Sequence, residues 1–114
     1  MPETVRDDLT VGGWKSLVFE PFRPGVTIHW ISRFEGERPG TALLKYEAGA
    51  AVPRHRHPGL ETILVLDGSQ SDEDGRYLAG TFVVNAPGSE HSVWSEDGCV
   101  VLIQWDRPVE ILEE

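Results

Sequence analysis

Gly49-Ala50-Ala51-Val52-Pro53-Arg54-His55-Arg56-His57-Pro58-Gly59-Leu60-Glu61, followed by a further glycine at Gly68, decides the reading of this chain. It sets two imidazoles and a carboxylate at positions 55, 57 and 61. Odd positions of an extended chain share one face. The turn Pro58-Gly59-Leu60 can return the carboxylate of Glu61 to the centre that His55 and His57 face. One short segment cannot wrap an ion, so a further donor must come from another strand. His91 sits in such a segment. Three neutral nitrogens and one anionic oxygen on converging faces make a divalent-metal site. A loop of scattered surface residues would not place three of only four histidines in register with a glutamate and spaced glycines.

Imidazole suits iron, nickel, copper and zinc, and a hard carboxylate adds manganese and iron(II). The expected cofactor is therefore one divalent metal ion: Fe2+, Zn2+, Mn2+ or Ni2+. Four protein ligands on an octahedral ion leave two positions for water, substrate or dioxygen. The same four on tetrahedral zinc leave none.

Working outward, turn signals recur at short intervals: Gly12-Gly13, Pro24-Gly25, Pro39-Gly40, Pro58-Gly59, Asp67-Gly68, Asp74-Gly75, Pro87-Gly88 and Asp97-Gly98. Short β-branched and aromatic runs lie between them, the pattern of an all-β sandwich or barrel. Strands are expected at Ser16–Glu20, Val26–Phe34, Thr41–Glu47, Glu61–Leu66, Arg76–Leu78, Thr81–Asn85, Ser92–Ser95 and Cys99–Gln104. The run Val100-Val101-Leu102-Ile103 predicts a strand buried on both faces. Residues 1–12 read as a flexible N-terminal arm, 13–110 as the folded domain, and 111–114 as a weakly helical tail.

The chain has 114 residues, enough for one domain with a core. Its net charge of −9 argues against nucleic acid and anionic membrane, which both call for a basic surface. The acidic run Asp72-Glu73-Asp74 reads as solvated surface. The single cysteine, Cys99, rules out an internal disulfide and reads as an inert core thiol. With no signal peptide and no apolar span, a cytoplasmic location is expected.

Gly49-x5-His55-x-His57-x3-Glu61-x6-Gly68 matches the first cupin motif at every fixed position. Gly80-x5-Ala86-Pro87-Gly88-x2-His91 resembles the second, with the proline one residue late and Ser95 where asparagine is usual. Further stretches, among them Pro53–Gly68, Asn85–His91 and Ser95–Cys99, resemble the ChrR-type cupins. The resemblance implies a small double-stranded β-helix, a jelly-roll barrel of two packed sheets with the metal in one mouth. It also implies two kinds of relative: the zinc-carrying, stress-sensing cupin of an anti-sigma factor, and small β-diketone or hydroxyacetophenone dioxygenases. Nothing before residue 14 supplies the regulator's helical zinc domain, so sigma-factor capture by that domain is not expected.

Ile63 and Val65 share the odd face of Glu61 and, with Val93 and Trp30, are expected to wall a pocket above the metal. The remaining aromatics, including Tyr46, Phe82 and Trp105, read as core. Two functions follow. The first is a metal-dependent dioxygenase acting on a small carbonyl or phenolic substrate, with no catalytic base evident. The second is a non-catalytic zinc-binding sensor or structural module. Either would take a small-molecule substrate or ligand, and by analogy with other single-domain cupins a homodimer is expected.

Overall fold

The computed structural model describes residues 1–112. Ten strands form among them: β1 (Glu20–Arg23), β2 (Val26–Ser32), β3 (Gly40–Tyr46), β4 (Ala51–Arg56), β5 (Glu61–Asp72), β6 (Gly75–Leu78), β7 (Phe82–Asn85), β8 (Glu90–Trp94), β9 (Cys99–Trp105) and β10 (Glu110–Ile111). All pairings are antiparallel, in the order β1-β2-β3-β9-β5-β8-β4-β10, with β6 and β7 also on β5. The all-β jelly-roll expected from the sequence is the fold observed.

The long strand β5 makes the corner of the barrel. Its first half pairs with β7 and β9, and its last residues pair with β6 and touch β8. The register against β9 slips between Val65 and Asp67, so Leu66 is an extra residue. Such a bulge bends and twists a strand, here turning β5 from one sheet into the other. Just past the bulge, Gly68 has φ +70, and a Cβ there would lie 2.0 Å from the Gly98 carbonyl oxygen. Only glycine permits that approach.

The main core lies between the sheets. Val26, Ile28, Leu44, Ile63, Val65, Val93, Val101 and Ile103 are all buried there. Alternation along β9 sends Val100 to the other face, where it joins Leu43 and Leu66. Leu9, Trp14, Leu17 and Phe19 cover that second cluster, so β9 is packed on both sides. The N-terminal arm thus contributes Leu9 to packing, and its Arg6 donates to Nε2 of His29 at 3.0 Å.

Three expectations need correction. Residues 16–20 do not form the first strand: Gly13–Ser16 is a 3-10 turn and β1 begins at Glu20. The Pro24-Gly25 turn sets the hairpin, and the strand that pairs with β2 is the one running directly into it. Pro21 is tolerated because β1 is an edge strand. Ile111 is not helical but pairs with His55 in β10, while residues 113–114 of the expected tail lie outside the described residues. Phe82 is not core: it stands 61% exposed on the outward side of β7.

Gly68→Ala is expected to destabilise the domain by about 3 kcal/mol, combining left-handed backbone strain with overpacking against Gly98. Urea unfolding measures this, and a loss of under about 1 kcal/mol would contradict the corner assignment.

Candidate metal centre

His55 and His91 face each other as register partners on β4 and β8, so a backbone ladder fixes their spacing. His57 lies just beyond β4, and its backbone continues the pairing: its N–H donates to Ser89 O at 2.9 Å and its carbonyl accepts from Gly88 N at 2.7 Å. The three rings meet edge to face, with centroids 4.6 to 5.0 Å apart. All three are buried, and one donor atom from each lies within 4.8 Å of the other two.

The outer nitrogen of each ring is held. His55 Nδ1 donates to the Pro53 carbonyl at 2.8 Å. His57 Nδ1 donates to Ser89, whose carbonyl and Oγ are both at 3.0 Å; that Oγ spends its own proton on Ala86 O. His91 Nδ1 donates to Asp72 Oδ2 at 3.3 Å. Each tautomer is thereby set, leaving the Nε2 lone pairs free. Nε2 of His57 and of His91 are buried without any hydrogen bond. A buried acceptor left unpaired costs about 1–3 kcal/mol. Burial also lowers the pKa of His55 and of His91, keeping both rings neutral at neutral pH.

Glu61 opens β5 at the same centre and is buried. Its Oε1 stands 3.2 Å from His57 Nε2 without a hydrogen bond between them, and it accepts from Asn85 Nδ2 at 3.0 Å. A carboxylate oxygen facing an imidazole lone pair is a repulsive contact that a cation between them would turn attractive. Glu61 is nevertheless outside the group of three whose donor atoms are all mutually close. The donor set of three imidazoles and one carboxylate oxygen fits a divalent transition ion.

Asp72 is the residue that sequence reasoning missed. It is buried rather than solvated. Its Oδ1 accepts from the backbone N–H groups of Asp74 and Gly75 and from Tyr77 Oη at 2.8 Å, leaving Oδ2 for His91. The Tyr77 hydroxyl is pushed up to about 12 by burial and by that bond, so it stays a donor. The Asp-x-Asp-Gly spacing signals a side-chain-stabilised turn, but nothing in it reveals the histidine on the far side.

The expected pocket residues separate. Ile63 and Val93 line a cavity of about 40 Å3 together with His55, His91 and Glu61. Val65 is fully buried in the main core and does not line that cavity. Trp30 lines a second, outer cavity. Cys99 is buried and its thiol is raised to about 11 by that burial, in keeping with an inert core thiol. Arg54 and Arg56 point outward to Glu90 and Glu110 in exposed ion pairs, which contribute little to stability.

Asp72→Asn puts an amide where His91 Nδ1–H needs an acceptor. It is expected to weaken metal affinity by about 10- to 100-fold while leaving the ligand atoms intact. Competition against a chromophoric chelator measures it; unchanged affinity would contradict the orienting role.

Residues 9–107 match the model of a family described as the ChrR cupin-like domain. Over 69 residues the chain is 41% identical to the anti-sigma-E factor ChrR of Cereibacter sphaeroides, covering 59% of this chain and 32% of that protein. Among solved structures, it resembles the complex of Rhodobacter sphaeroides SigE with the anti-sigma ChrR, with TM-score 0.71, 30% identity, and coverage of 80% of this chain and 50% of that one. It also resembles an acetylacetone dioxygenase from Acinetobacter johnsonii, with TM-score 0.77, 16% identity, and coverage of 84% and 72%; that likeness concerns the fold alone. The chain spans about a third of the curated relative and half of the ChrR chain in the complex. With a family model matched over most of its length and three imidazoles converging in the barrel, this chain belongs to the ChrR cupin-like domain family.

Proposed function

We propose that the chain is a metal-binding sensor or structural module, holding one zinc ion on His55, His57 and His91 with Glu61 as fourth donor. The observation that carries this is the pair of buried, unpartnered Nε2 atoms on rings whose Nδ1 protons are already committed. Four protein donors complete a tetrahedral shell and leave no position for substrate. When bound, zinc supplies a cross-link between β4, β5 and β8 and no redox chemistry. Pro53, Ser89 and Asp72 hold the rings in the binding tautomer, and Asn85 holds Glu61. The relative's designation as an anti-sigma factor, a regulator, supports a sensing role.

A second reading, a metal-dependent dioxygenase for a small carbonyl or phenolic substrate, is favoured by one feature. The 40 Å3 cavity reaches His55, His91 and Glu61, so water or dioxygen has room beside the donors. An oxygen electrode with iron-loaded protein and a panel of β-diketones decides between the two. Consumption above buffer would overturn the module reading. No consumption, with stoichiometric zinc in protein purified without added metal, supports it.

Zinc at about a thousand times its Kd is expected to stabilise the fold by ~4 kcal/mol, a rise of roughly 15 °C in Tm for a domain of this size. His91→Ala should abolish that rise. Scanning calorimetry with and without zinc reads both, and an undiminished rise in the variant would contradict the ligand assignment.

The metal-free protein should also respond to pH. His55 and His91 have folded pKa values below the unfolded value of about 6.5. The unfolded chain therefore binds more protons, and stability rises with pH across that window. It should be full above about pH 6.5 and fall steadily below it. Glu96, whose carboxylate is held low by backbone, Ser71 and Trp94 hydrogen bonds, responds only in stronger acid. Melting at intervals from pH 7.5 to 5 tests this; increasing stability on acidification would contradict it.

A further inference from the structure

Two cavities meet at the open end of the barrel. The inner one reaches the metal donors. The outer one has about 300 Å3, at the low end for small-molecule pockets, and is walled by Trp30, Phe34 and Pro108. Phe22, Arg23, Trp105 and Val109 line both. The rings of Trp30, Phe34 and Trp105 pack on one another with centroids 5.8 to 5.9 Å apart. A Cβ at residue 40 would lie 2.8 Å from the Phe34 ring, so Gly40 is what lets that ring lie close to the sheet.

Arg23 is the one polar exception in this aromatic chamber. It ends β1 and is half-buried. The other arginines all make an ion pair or a side-chain hydrogen bond: Arg6, Arg33, Arg38, Arg54, Arg56, Arg76 and Arg107. Arg23 makes neither with any described residue; its guanidinium lies over the Phe22 ring, at 5.6 Å. In a chain with 19 acidic and 10 basic residues, a half-buried guanidinium with no carboxylate partner among the described residues is a notable exclusion. A planar fork of donors beside aromatic faces matches a carboxylate attached to a ring.

We infer that the outer chamber binds a small aromatic monocarboxylate, its carboxylate paired with Arg23 and its ring laid against Trp30, Phe34 and Trp105. A single guanidinium suits one carboxylate better than a phosphate ester, which the net charge of −9 would repel more strongly. This assignment deepens the module reading by naming what a sensor at this site would detect, and it rests on that reading only for its purpose.

The test uses the full chain, metal-free and zinc-loaded, with phenylacetate and its neutral counterpart phenylacetamide as probes. Binding is followed by the indole N–H signals in proton–nitrogen spectra. Phenylacetate should shift Trp30 and Trp105 but not Trp14 or Trp94, and bind at least about tenfold more tightly than the amide. Arg23→Gln should abolish that preference, and Arg23→Lys should keep part of it. Equal affinity for the two probes, an unchanged preference in Arg23→Gln, or no shift at millimolar probe would overturn the inference. Zinc content, measured on the same samples, separates the two proposals. A protein that discriminates the probes yet takes up no zinc overturns the metal reading alone, and the reverse outcome overturns this one alone.

Discussion

Two imidazole nitrogens without partners, sealed inside a barrel, set the terms for the rest of the molecule. His57 and His91 each commit one ring nitrogen to an acceptor and aim the other at the same small volume, where His55 joins them. Buried polar atoms are nearly always paired. A fold that leaves two unpaired, side by side and beside a carboxylate, has a strong reason to bind a cation there. A cation at the centre recovers the stability lost by desolvating these groups.

Geometry of this kind needs strands from different parts of the chain to arrive in fixed register. The β4–β8 ladder supplies His55 and His91 as direct partners, and the hydrogen bonds of His57 to Gly88 and Ser89 extend that ladder past its formal end. The corner strand β5 brings Glu61 at its start and Asp72 at its end, so one strand supplies both a neighbour of His57 and the acceptor for His91. The bulge at Leu66 and the close approach at Gly68 allow a single strand to serve both sheets. The main core between the sheets then fixes the walls of the inner cavity through Ile63, Val93 and Ile103.

Much of this was legible in the chain. Spaced glycines, odd-numbered ligands and β-branched runs are local signals, and they identified the all-β class and the three histidines. Asp72 was not legible. It sits in an acidic run that composition assigns to solvent, and only the full length of β5 carries it inward. Residues 16–20 are apolar enough to pass for a first strand, while the pairing that decides is with β2 across the Pro24-Gly25 turn. Phe82 reads as core because aromatic residues are usually buried; its place on the outward side of β7 depends on which face of that strand the corner turns inward. That Arg23 has no carboxylate partner among the described residues is likewise a fact of tertiary placement. No spacing rule shows which arginine will lack a carboxylate neighbour.

The account's central claim is that one divalent ion is held by three imidazoles and a carboxylate. X-ray absorption at the zinc edge of the reconstituted protein tests it most directly. The account predicts a first shell of nitrogen and oxygen at about 2.0–2.1 Å, with the outer-shell scattering of three imidazole rings and none from sulfur. A shell with fewer than three imidazoles, or one containing the Cys99 sulfur, would contradict it.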